Sequence, residues 1–279
     1  MSTDKKVSVI IPNYNYAQYV GQAIDSVMNQ TYKNIEVIVV NNGSTDNSLE
    51  ILKRYGNRIC LVDQENLGQS GARKSGLMRT TGDFIAFLDA DDVWEPSKIE
   101  KQMLLFSPTT ELVYCGIKRF NESSQKFFST QLPQFKGSCA SAFIKYPGVS
   151  IVLSGESTAI FSRALLEKVG GFDPELNSAA GWDFFRRCSM FTDFDFVPEA
   201  LTNYRIHGSN MSRSSMNTIL DIRCAYKKLF DDKEWAISSS AIRKTIFCLE
   251  YTFFKTHLRQ GNFKAALGAG FRMLLPQRY

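Results

Sequence analysis

The chain has 279 residues, 44% apolar and 22% charged, enough to bury a full core, and no apolar run of about 18 residues that could span a bilayer. Its net charge of +5 sits in the tail: residues 221–279 hold eleven Lys/Arg against five Asp/Glu, and residues 1–220 hold 22 against 23. A near-neutral body with a basic tail argues against a nucleic-acid groove, and six scattered cysteines without a C-x-x-C argue against zinc or a disulfide framework.

The first residues, Met1 to Lys6, lead into a strand without the apolar core of a signal peptide, so a cytoplasmic protein is expected. Residues 7–12 form that strand, closed by Pro12 and a polar loop from Asn13 to Tyr16. Val20, Ala23, Ile24, Val27 and Met28 then recur at helical spacing. Residues 35–40 make a second strand, apolar enough to be covered on both faces. The loop from Asn41 to Asp46 leads to a helix through Leu49, Ile51 and Leu52, so it lies at the carboxyl edge of a sheet, where ligands bind. A strand over 59–62 precedes a glycine-rich stretch, 66–76, that turns helical. Strands alternating with helices predict an α/β doubly wound, mostly parallel sheet flanked by helices.

The fourth strand, residues 84–88, stops at Asp89, Asp91 and Asp92. Like charges this close repel unless a cation neutralises them, and paired carboxylates suit Mg2+ or Mn2+. Asp92 also fits a cap for an amphipathic helix over 98–105. Downstream, residues 111–117 and 157–161 read as strands. Residues 118–150, with Pro133, Gly137, Pro147 and Gly148, read as a long excursion. A short helix holds Leu165, Leu166 and Val169; after the turn at Gly170 to Pro174, Gly181 opens another helix with Asp183 in its first turn.

The tail carries two apolar stripes, Ile242, Ile246, Leu249 and Phe253, then Phe263, Leu267, Phe271 and Leu274 after Gly261-Asn262. With Lys255, Arg259, Lys264, Arg272 and Arg278 nearby, these helices either pack on their own domain or dock on an anionic membrane surface. The expected division is residues 1–220 as the main domain and 221–279 as a basic helical extension.

Neither a G-x-G-x-x-G nor a G-x-x-x-x-G-K-[ST] loop is present. Instead Val9-Ile10-Ile11-Pro12-Asn13-Tyr14-Asn15, Asn42-Gly43-Ser44-Thr45-Asp46, Asn66-Leu67-Gly68 with Ala72-Arg73, and Leu88-Asp89-Ala90-Asp91-Asp92 resemble, in order and spacing, the family 2 glycosyltransferases of the GT-A fold, across about residues 7 to 208. The resemblance implies an inverting transfer from a nucleoside-diphosphate sugar, a UDP-sugar being favoured, to a hydroxyl of a glycan or lipid-linked acceptor. It implies Mn2+ or Mg2+ at Asp91, and Asp89 against the ribose or the metal. It places Pro12, Tyr14, Asn15 and Asn42 around the base, Arg73 near the diphosphate, and His207 against the diphosphate or metal.

Each position has a plainer reading. Tyr14 could simply pack, Asn42 could be a turn residue, Arg73 could lie on a solvated face, and His207 could be a core histidine. The family often writes Glu-Asp before Trp-Asp, the second acid acting as base, where this chain has Ala180 and Gly181. Asp183 is the nearest acid left, either the base or a carboxylate stabilised at a helix start; Glu156 and Glu175 are more distant candidates. A catalytically silent sugar-nucleotide-binding subunit is the alternative from another class.

Overall fold

The computed structural model describes residues 5–124, 126–145, 150–153, 155–208, 210, 215–235 and 237–274. Pro147, Gly148, Ser209, Met211, Ser212, Arg278 and the side chain of Leu274 lie outside the described residues. The chain divides into two units, residues 1–139 with 150–210, and residues 140–149 with 211–279.

The first unit is built on β1 (Val7–Asn13), buried along most of its length because parallel strands flank it on both edges. The chain continues through α1 (Ala17–Met28), β2 (Ile35–Asn42), α2 (Ser48–Lys53), β3 (Cys60–Gln64), α3 (Gly68–Leu77) and β4 (Phe84–Phe87). The expected stripe on α1 buries Val20, Ala23, Ile24 and Val27 in one core with Val9, Ile11, Val37 and Val39. Then follow β5 (Val93–Trp94), α4 (Lys98–Met103), β6 (Thr110–Asn121) and β7 (Phe127–Gln131). In the second unit, α5 (Ala140–Lys145) interrupts before β8 (Ile160–Ser162), α6 (Arg163–Val169), α7 (Ala180–Cys188) and β9 (Asp193–Ile206) complete the first.

Strand order is β3-β2-β1-β4-β8-β6-β9-β5, with β7 paired to β6. The sheet is more mixed than expected. The β3-β2-β1-β4 half is parallel, and so is β6 with β9. β8 runs antiparallel to both β4 and β6, and β5 and β7 are antiparallel to their neighbours. Residues 157–158 belong to a 3-10 turn, Gly155–Thr158, rather than to a strand, because Thr158 Oγ1 donates back to Leu153 O at 2.6 Å. β9 has no clear sequence signature. Cys115 pairs with Val197 and Gly116 with Ala200, so Pro198 and Glu199 bulge out and break its alternation. The expected excursion holds β7 and α5.

In the second unit, α8 (Ser215–Asp231), α9 (Ser239–Arg259) and α10 (Phe263–Leu274) join α5. α9 buries Ile246, Leu249 and Phe253. α10 buries Ala266 and Ala269, while Phe263, Leu267 and Phe271 face solvent. Glu250, at the buried face of α9, accepts from Arg223 Nε and Nη2, each at 2.7 Å, and from Arg272 Nε at 3.1 Å. Among the described residues, no helix is long and apolar enough to cross a membrane.

Candidate active site

Because β1, β2, β3 and β4 run in parallel, their carboxyl ends share one edge, and the loops there are tied to one another. Asn15 stands at φ 56°, a left-handed conformation that asparagine tolerates better than most residues. Its Oδ1 accepts from Thr45 N at 2.7 Å, and its own N–H donates to Ser44 Oγ at 3.1 Å. Asn13 Nδ2 reaches the same Ser44 hydroxyl at 3.2 Å. The loops after β1 and β2 thus form one rim, with Pro12 half-buried and Tyr14 exposed on it.

Asn42 does something other than present an edge to a base. Its Nδ2 donates to Asn66 Oδ1 and Gly68 O, and its Oδ1 accepts from Gln64 Nε2 and Leu67 N, at 2.8–3.2 Å. Two donors and two acceptor sites are what an amide offers. All are spent holding the β3–α3 loop, so Asn42 serves the site through that loop.

The acids at the tip of β4 separate into distinct environments. Asp89 N–H donates to Ser157 Oγ at 3.1 Å. Burial, with Glu156 and Asp91 nearby, outweighs the opposing Arg73 and Ser157 and pushes its carboxyl up to about 7. Asp92 is no helix cap: α4 begins six residues later, preceded by Ser97, and β5 intervenes. Its Oδ1 accepts from Arg205 N at 3.3 Å, and burial with its two acidic neighbours raises its carboxyl well above the usual range. Asp91 meets His207, Oδ2 to Nε2, at 2.9 Å, and Asn210 Nδ2 donates to the same oxygen at 3.3 Å.

His207 is held from several sides. Its N–H donates to Asn210 Oδ1 at 2.7 Å, and its ring lies 4.8 Å from Tyr19 and 5.6 Å from Tyr16. Arg205 passes between the rings of Tyr19 and Phe120 and donates through Nε to Asp91 O at 2.9 Å. Sequence reasoning gave no role to Ser157, Arg205 or Asn210. Only the short stretch around His207, which includes Arg205 and Asn210, carried a signal.

Arg73 is not on a solvated face. It is 3% exposed, ion-paired through Nη2 with Glu156 Oε1 at 2.8 Å, and lies over the Phe172 ring at 5.3 Å. α3 brings it there because Gly76, one turn on, lets the helix touch β1: a Cβ at 76 would stand 2.4 Å from Ile10 Cγ2. Asp183 is 2% exposed. Its Oδ1 accepts from Arg186 Nε and Nη2, and its Oδ2 accepts from Arg187 Nε at 2.8 Å. Arg187 also donates to Val169 O and Gly171 O. That is the structural role at a helix start, in which Asp183 pins α7 to the turn after α6.

Among the described residues, no three His, Cys, Asp or Glu side chains form a ready-made metal cage. The donor set still fits Mn2+ or Mg2+, which take one or two protein ligands and complete their shells with substrate phosphates and water. Asp91 supplies the carboxylate oxygen that Mg2+ and Mn2+ prefer, and His207 converges on it as a further nitrogen donor.

A family model described as Glycosyl transferase family 2 matches residues 8–170. The chain is 34% identical over 220 residues to an uncharacterized glycosyltransferase of Rickettsia prowazekii, covering 76% of this chain and 68% of that one. It is 36% identical over 219 residues to an uncharacterized glycosyltransferase of Nostoc sp., covering 75% and 67%. Chondroitin synthase of Pasteurella multocida is 28% identical over 218 residues, 76% of this chain and 22% of that one. Among solved structures, S. aureus TarS in complex with UDP-GlcNAc superposes with a TM-score of 0.64 at 17% identity, covering 97% and 92%. Mannosyltransferase PcManGT from Pyrobaculum calidifontis, in complex with GDP-Man and Mn2+, gives 0.62 at 19%, covering 95% and 73%. These neighbours share the curled mixed sheet and flanking helices of the GT-A fold.

Proposed function

The chain belongs to glycosyl transferase family 2, and from that premise we propose that it moves a sugar, with inversion, from a nucleoside-diphosphate donor to a hydroxyl of a glycan or lipid-linked acceptor. The observation that carries this reading is the pairing of Asp91 with His207 at the tip of β4, beside the rim built by the loops after β1 and β2. In it Asp91 and His207 hold Mn2+ or Mg2+, which supplies charge neutralisation to the departing diphosphate. Asp89 contacts the donor ribose, while Pro12, Tyr14 and Asn15 border the base. Asn42 and Arg205 keep the loop and the acid strip in place.

A UDP-sugar is favoured as donor, and synthesis of a surface polysaccharide or glycoconjugate as the setting. Likeness to a chondroitin synthase and to a UDP-GlcNAc-bound neighbour supports both. Calorimetric titration with UDP and with GDP, each with and without Mn2+, tests the site. Binding should require Mn2+ and should weaken at least tenfold in Asp91→Ala. Metal-independent binding of equal strength in both proteins would sink the assignment.

The exposed stripe Phe263, Leu267 and Phe271 on α10, near exposed Lys255, Arg259 and Lys264, supports peripheral docking on the anionic cytoplasmic face of a membrane. Each basic residue close to such a surface contributes about 1 kcal/mol. The chain should float with vesicles rich in anionic lipid and stay behind with neutral ones. Sedimentation with neither overturns the docking.

A second reading has its own observation. α7 opens on Ala180 and Gly181, and Asp183 is spent on two arginines, the arrangement of a subunit that binds the donor without turning it over.

A further inference from the structure

Transfer to a hydroxyl needs a proton acceptor beside the reacting atoms. The acids near the β4 tip can be taken in turn. Asp89 faces the donor ribose in the reading above, Asp91 is engaged by His207 and Asn210, Asp92 is turned to β9, and Asp183 is clamped by Arg186 and Arg187. Glu156 remains. It belongs to the 3-10 turn Gly155–Thr158, next to Ser157, whose hydroxyl receives the Asp89 N–H.

Glu156 reaches from that turn to the start of α7. A Cβ at Gly181 would lie 2.7 Å from Glu156 Oε1, 2.8 Å from its Cδ and 3.0 Å from its Oε2. The space where a side chain at 181 would begin is therefore filled by the carboxylate of 156. It is 6% exposed, and Arg73 compensates its charge there at 2.8 Å. The Nε and Nη1 of Arg73 have no hydrogen-bond partner among the described residues, so the guanidinium has donors left over for a second anion.

We propose that Glu156 is the general base of the transfer, a carboxylate supplied by the turn before β8 to the place where α7 has none. The assignment rests on the glycosyl-transfer reading above. In the step, the acceptor oxygen forms a bond to the anomeric carbon as the bond from that carbon to the diphosphate oxygen breaks. The electron pair leaves on the diphosphate, and the acceptor's proton passes to a carboxylate oxygen of Glu156. Burial of Glu156 in the free protein is no obstacle, since catalytic contacts often form only in the substrate complex.

The test uses the full chain as wild type, Glu156→Gln, Glu156→Ala, and Glu156→Ala combined with Gly181→Asp. UDP and GDP binding with Mn2+ is measured by calorimetry, and nucleoside diphosphate release is followed over a panel of UDP- and GDP-sugars with Mn2+ and simple glycoside acceptors. Glu156→Gln should bind the nucleotide within about threefold of wild type and lose roughly 100-fold or more in release, the scale of general-base catalysis. Moving the acid to position 181 should restore release at least tenfold over Glu156→Ala. Nucleotide binding also reports whether each variant is folded. The proposal falls if Glu156→Gln releases within threefold of wild type, or if binding and release drop together, as for a residue that only holds Arg73. It falls too if the wild type binds nucleotide yet turns over no donor, the binding-subunit outcome. A wild type that binds neither nucleotide overturns the transfer reading itself.

Discussion

Lys98 offers a sharp test of how the acid strip is supported. It is fully buried at the start of α4, with Nζ 3.9 Å above the Trp94 ring and no hydrogen-bond partner among the described residues. Burial lowers its pKa from 10.5 to about 8. A lysine held below its ordinary value binds its proton less readily folded than unfolded. The penalty is therefore fully present below pH 8 and is relieved as pH climbs towards 10.5. That gap corresponds to about 3 kcal/mol, against which a desolvated cation over an indole returns about 2 kcal/mol. Lys98→Met, close in volume and without charge, should gain about 1 kcal/mol at pH 7. The gain should fade by pH 10. Urea unfolding of both proteins at the two pH values measures it, and the difference between them cancels whatever else titrates. Trp94 Nε1 donates to Ser157 O at 2.7 Å, so Mn2+-dependent UDP binding checks that the site survives. A variant less stable than wild type at pH 7, or one whose advantage is equal at both values, would refute this account of Lys98.

Three further substitutions follow from the geometry. Gly76→Ala should lose about 1–2 kcal/mol in chemical denaturation despite the better helix propensity of alanine, because its Cβ would overlap Ile10 Cγ2. Asp183→Asn should cost about 3 kcal/mol by leaving two arginines without their buried anion, while UDP affinity in the presence of Mn2+ stays within about threefold. Asn15→Ala loses both the contact to Thr45 and a residue suited to φ 56°, so UDP affinity should fall about tenfold or more, with Asn15→Gly recovering part of the loss.

The parallel half of the sheet was legible because its information is local. Short, mostly apolar runs at 7–12 and 35–40, rich in Val and Ile, read as strands covered on both faces, and the α1 stripe names the side it packs on. The acids were legible for the same reason: charge at the end of a buried strand is costly wherever it occurs. What stayed hidden depends on partners far along the chain. β9 pairs with β6 across a bulge at Pro198, and Asn42 looks free until the β3–α3 loop folds over it. Asp183 stands near the expected base in sequence, and only the fold of α7 shows both its oxygens committed to arginine.

The Arg73–Glu156 pair was the least legible feature, and the cause is what two residues lack. Gly76 lets α3 settle against Ile10, which sets how deep Arg73 sits, and Gly181 leaves the space on α7 that the Glu156 carboxylate fills. Each half of the ion pair is thus placed by a glycine on a helix, more than twenty residues from Glu156 in one case and three residues from Arg73 in the other. Reading motifs means asking what side chains can do, and it passes over positions whose contribution is room. At Gly181 that same room explains why an alanine there would not be a neutral change. Its methyl group would push the carboxylate off α7, and Arg73, buried with two nitrogens already unmatched, would lose its anion without gaining water. The site on this side is therefore specified jointly: Glu156 is tolerated because Gly181 is small, and position 181 can go without an acid because Glu156 brings a carboxylate there.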